Sequence, residues 1–126
     1  MYTVVRITGA CDQLELLLNT LKEVFPAASA EVNRRGHLVC DLSSEIGPEH
    51  WVEVAGALDK IGEAIDRAQV GDVGILVDTQ FDLKFLPDGG IAIDTMLVSL
   101  IGLEAMTRLG ADFEITTYRP SHDDVR

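Results

Sequence analysis

The sequence predicts an α+β fold, a single domain over residues 1–126 in which a largely antiparallel sheet carries helices over one face. Two observations lead there. The apolar pattern switches repeatedly between a period of two and a period near 3.6, so strand-like and helix-like segments alternate along the chain. No linker or low-complexity stretch divides the 126 residues, a length that one core serves and that buries roughly two thirds of the unfolded chain's surface.

Tyr2 to Thr8 is rich in β-branched residues and alternates, as a strand does. Asp12 followed by Glu15 has the spacing of a capping box, and Leu14, Leu17, Leu18, Leu21 and Phe25 then recur at helical spacing until Pro26. Ala30 to Asn33 and His37 to Leu42 form two strands joined by Asn33-Arg34-Arg35-Gly36, whose glycine supplies the positive φ of a tight hairpin. Gly47-Pro48-Glu49 opens a second helix running to about Ala68, with Trp51, Val54, Leu58, Ile61 and Ile65 as its buried stripe.

Val73 to Phe81 and Ile91 to Val98 have strand character and flank a turn around Pro87-Asp88-Gly89-Gly90. Ser99 is placed to cap a short third helix carrying Leu100, Leu103, Met106 and Leu109, and Gly110 to end it. Phe113 to Tyr118 alternates as a last strand, and residues 120–126 form a polar tail expected to fray. The order places strand-helix-strand units at both ends, Tyr2 to Asn33 and Ile91 to Tyr118, in the manner of ferredoxin-like folds.

Charge is the strongest functional clue. Acidic residues outnumber basic ones 21 to 10, and the stretch from Asp41 to Asp94 holds 12 of the acids against Lys60, Arg67 and Lys84. A field of that sign repels nucleic acid and anionic membrane and attracts basic partners. No apolar run approaches the roughly 18 residues of a membrane helix. The N-terminus lacks a signal-peptide layout, which makes the expected location cytoplasmic. Cys11 and Cys40 form no Cys-x-x-Cys pair and are read as small hydrophobes.

Chemistry-bearing patterns are weak. Cys40 lies near His37 on one strand, but residues three apart there point to opposite faces. His50, in the first turn of the second helix, is expected as a surface imidazole, and His122 lies in the tail. Asp78, Asp82, Asp88 and Asp94 invite a calcium reading, but their spacing and the intervening Phe81, Leu83, Phe85 and Leu86 do not make a calcium loop. No metal, no cofactor and no enzymatic activity are therefore expected.

Val98-Ser99-Leu100-Ile101-Gly102-Leu103 opening a helix, then Leu109-Gly110-Ala111-Asp112-Phe113-Glu114-Ile115 leading into a strand that ends at Tyr118, resembles a family of small bacterial domains of unknown function. A tryptophan opening the long central helix, here Trp51, is similar to theirs. Some members resemble immunity proteins encoded beside polymorphic toxins. The resemblance implies direct binding and neutralisation of a basic toxin domain, for example a nuclease, and offers no catalytic residues.

The charge pattern points the same way, because an acidic surface complements a basic working surface. The expected interface is the outer side of the second helix, Glu49, Glu53, Asp59, Glu63 and Asp66, with Asp78 and Asp82 nearby. The alternatives are a structural or self-associating domain, for instance a homodimer, and a small enzyme of unknown reaction.

Overall fold

The computed structural model describes residues 2–45, 49–82, 84–85, 91–92 and 98–118. Its elements in chain order are β1 (Tyr2–Thr8), α1 (Cys11–Val24), β2 (Ala30–Val32), β3 (Leu38–Ser43), α2 (Glu49–Ala68), β4 (Gly74–Asp82), β5 (Lys84–Phe85), β6 (Ile91–Ala92), α3 (Leu100–Leu109) and β7 (Asp112–Tyr118).

Among the described residues five strands form one sheet in the order β2-β3-β1-β4-β7, antiparallel except for the parallel β4–β7 pair, and β5 and β6 pair with each other in a separate two-stranded sheet. The first six elements make a βαββαβ unit: α1 joins β1 to β2 across the intervening β3, and α2 joins β3 to β4 across β1. The second strand-helix-strand unit differs from the sequence expectation. Its first strand in the main sheet is β4, not the segment beginning at Ile91, and α3 returns the chain to lay β7 beside β4. The expected continuation of that segment toward Val98, the turn at 87–90, the helix opening at Pro48 and the tail at 120–126 lie outside the described residues.

Alternation on the strands sorts the sheet into two faces. Thr3, Val5 and Ile7 of β1, with their register partners Thr79, Val77 and Ile75 on β4, point toward the helices, and Val5, Ile7 and Val77 are fully buried there. Against them pack Leu14, Leu17 and Leu21 of α1 and Trp51, Val54, Leu58 and Ile61 of α2, as their helical spacing requires. Val4, Arg6, Leu76 and Asp78 point to the opposite face. A β-bulge sits at the start of β1, where Thr3 pairs with Ser43 but Val4 with Asp41, and both Leu42 and Ser43 are buried.

Gly36 has the expected positive φ of 77°, and Asn33 Oδ1 accepts the backbone N–H groups of Arg35 and His37, each at 3.0 Å, which shapes the β2–β3 hairpin. Gly110 ends α3 in the left-handed conformation at φ 69°. The capping box at Asp12 does not form. Helix α1 begins two residues earlier, with Ala10 at the cap and no side-chain cap, and the Ala10 carbonyl accepts the Leu14 N–H at 3.0 Å.

Candidate interaction surface

Outer α2 carries the predicted acids, and the fold treats them unequally. Glu49 and Asp66 are exposed. Glu53 accepts a hydrogen bond from the Ser43 hydroxyl at 2.6 Å, tying it back to β3. Asp59 meets Arg108 of α3 at 3.1 Å, and Glu63 lies between Lys60 at 3.8 Å and Arg67 at 3.3 Å. These exposed pairs contribute little stability, but they blunt the local field.

Asp78 is not part of this surface. It is 1% exposed and lies on the sheet face opposite the helices, where Arg6 pairs with it at 3.4 Å and the Thr116 hydroxyl donates to it at 2.8 Å. Alternation puts Asp78 on the outer face beside Val4, itself 3% exposed, on strand β4 flanked by β1 and β7, which bring Arg6 and Thr116 against it. The side chain of Asp82, at the end of β4, lies outside the described residues. Further acid faces water on the strands: Glu31, Asp41, Asp112 and Glu114 are all exposed. The Tyr2 hydroxyl donates to Asp41, and burial, then that bond, push the phenol up to about 12.

The feature sequence reasoning missed is a buried polar chain beneath the start of α2. His50 is fully buried rather than a surface imidazole. Its Nδ1 lies 3.0 Å from the Glu45 carbonyl oxygen, its Nε2 2.6 Å from Thr3 Oγ1, and Thr3 Oγ1 2.9 Å from Thr79 Oγ1. A carbonyl only accepts, so Nδ1 carries the proton and a neutral ring accepts the Thr3 hydroxyl at Nε2. Burial holds the imidazole below its usual range, against the opposing pull of the Glu45 carbonyl. The signal was present in the spacing, because His50 precedes Val54 by four residues and so extends the apolar stripe by one turn.

A concavity of about 590 Å³ opens at the hairpin end of the outer sheet face, lined by Arg6, Thr8, Arg35, His37 and Asp112 among others. It brings a histidine and a carboxylate to one depression but not together. His37 leads into β3 and Asp112 begins β7, and with β1 and β4 between them the two are about 14 Å apart at the ordinary strand spacing. That is far beyond the reach of a proton relay. Cys40 is buried, and burial followed by the Asp41 charge pushes its thiol up to about 11, a value unsuited to a nucleophile. Cys11 is exposed. Among the described residues no group of three His, Cys, Asp or Glu side chains is gathered for a metal ion, and no helix is long and apolar enough to cross a membrane.

No protein-family model, curated protein or solved structure matches the chain.

Proposed function

We propose that the protein is an acidic binding module for a basic protein, and that it acts as an immunity protein, neutralising a basic toxin domain such as a nuclease by covering its working surface. The observation that supports this reading is how little of the acidic excess is consumed inside the fold. Among the described residues the ion pairs engage Asp59, Glu63 and Asp78, while Glu31, Asp41, Glu49, Asp66, Asp112 and Glu114 face water. A net charge of −11 spread over one small domain raises the encounter rate with a basic surface and disfavours acidic competitors. The same charge disfavours nucleic acid as a direct ligand.

The test is affinity capture from the source organism at low salt with elution at high salt, followed by assay of the captured protein alone and with the module added. A basic protein whose activity falls in proportion to the module added is the expected result. A captured protein that is acidic, or one whose activity is untouched at stoichiometric complex, contradicts the reading.

A further inference from the structure

Resting on that reading, we propose that the outer edge of β7 is the docking site, and that it receives an extended segment of the basic partner as a sixth strand with alternating apolar and basic side chains. The two edges of the main sheet are unlike. β2 is three residues long and β7 is seven, and no other described strand pairs with the far side of β7. Among the described residues that edge has no strand partner, and a sheet edge of such length is the template used when a peptide adds to a sheet. From Asp112 to Tyr118 there is no proline, and the charges that guard the edge, Asp112 and Glu114, are both acidic, so they repel an acidic strand and admit a basic one.

The two faces of β7 specify the incoming chain. Register with β4 places Phe113 and Ile115 on the helix side, beside Val77 and Thr79, and Asp112, Glu114 and Thr116 on the outer side, beside Leu76, Asp78 and Gln80. Ile115 remains 49% exposed there, although Phe113 is covered in part by its edge-on contact with Trp51. Four of the six large exposed hydrophobics among the described residues, Leu100, Ile101, Leu103 and Ile115, belong to α3 and β7. A strand laid along this edge therefore meets an apolar residue on one side and two carboxylates on the other. Cross-strand pairing favours an apolar side chain opposite Ile115 and lysine or arginine opposite Asp112 and Glu114.

A second copy of this chain fits less well. Each copy carries a net charge of −11, and antiparallel pairing centred on Ile115 sets the two Glu114 side chains on one diagonal, about 7 to 8 Å apart. Charge complementarity selects a basic segment instead.

Two synthetic heptapeptides of the same composition test this on the full chain: one alternating lysine and valine, the other with lysines and valines in separate blocks. Amide shift mapping on isotope-labelled protein gives the site, and titration gives the affinity. The alternating peptide should bind tighter, with shifts centred on residues 112–118. Glu114→Gln and Ile115→Thr, both at exposed positions, should each weaken it by about two- to fivefold, the worth of a cross-strand pair. Equal binding of the two peptides, or shifts centred elsewhere, overturns the docking site. Salt-sensitive binding centred on α2 would overturn it while leaving the basic-partner reading intact. A stable dimer in sedimentation, with β7 amides protected from exchange, overturns it in favour of the second copy.

Discussion

Gly102 of α3 sits against the indole of Trp51 so closely that a methyl group added at its Cα would lie 2.8 Å from Trp51 Cε3. Trp51 is 2% exposed and packs edge-on against both His50, at a centroid distance of 5.0 Å, and Phe113, at 6.2 Å. One side chain thereby joins the start of α2 to α3 and β7, the elements added to the βαββαβ unit. Gly102→Ala should destabilise the protein by about 1 to 3 kcal/mol through overpacking, despite alanine's better helix propensity. Urea denaturation checks this, and a stabilised variant would mean that α3 slides freely over Trp51.

The buried His50 makes stability depend on pH. Its folded-state pKa lies below the unfolded value, so as pH falls through about 6.5 the unfolded chain takes up a proton that the folded chain refuses. The His50 contribution is complete above that pH and is lost as pH falls below it, with a slope of up to about 1.4 kcal/mol per unit. Replacing His50 by Gln, which lowers overall stability, should flatten the pH dependence between pH 7 and pH 5. An unchanged slope in denaturation curves across that range would assign the dependence to other groups.

Arg6 and Asp78 form an asymmetric pair, since the Arg6 side chain is 37% exposed and that of Asp78 only 1%. Removing the arginine strands a buried carboxylate, whereas removing the aspartate leaves a cation that water can reach. Arg6→Leu should therefore cost about 3 kcal/mol, and Asp78→Leu less, about 1.5 kcal/mol. Equal or reversed losses in chemical denaturation would contradict the asymmetry.

In the helix-sheet core, Leu58 is 1% exposed and Ile61 fully buried, facing Leu14, Leu17 and Leu21 across one layer. Truncating either to alanine should cost about 2 to 5 kcal/mol. A variant at wild-type stability would place the α2 register elsewhere.

Much of this fold was readable in the sequence, and the exceptions have physical causes. The stripes on α1 and α2, the hairpin at Gly36 and the stop at Gly110 depend on local spacing and backbone conformation, which a sequence carries directly. Strand partners do not. Nothing local says that the chain after β4 returns by α3 to lie parallel beside it, or that β5 and β6 pair apart from the main sheet. His50 and Asp78 have the polarity of surface residues but are fully or almost fully buried. His50 falls on the apolar row of Val54 and Leu58, whereas Asp78 lies on the outer sheet face in a row with Val4, Asp41 and Glu114. Each is accommodated there by partners distant in sequence, Thr3 and Thr79 for one and Arg6 and Thr116 for the other. The charge excess was visible from composition, whereas the consumption of Asp59 by Arg108 needed the α2–α3 packing.

The central claim is that the unpaired acid steers a basic partner, and its most direct test is the association rate measured across ionic strength with the captured partner. The comparison is between the natural protein and a variant carrying Glu49→Gln, Asp66→Asn, Asp112→Asn and Glu114→Gln, four exposed carboxylates outside the ion pairs among the described residues. The natural protein should associate fast at low salt and slow steeply as salt rises, with a flatter and slower profile in the variant and a dissociation rate that changes less. Identical association rates and salt slopes in the two proteins would contradict the claim and leave the acid as a solubilising surface.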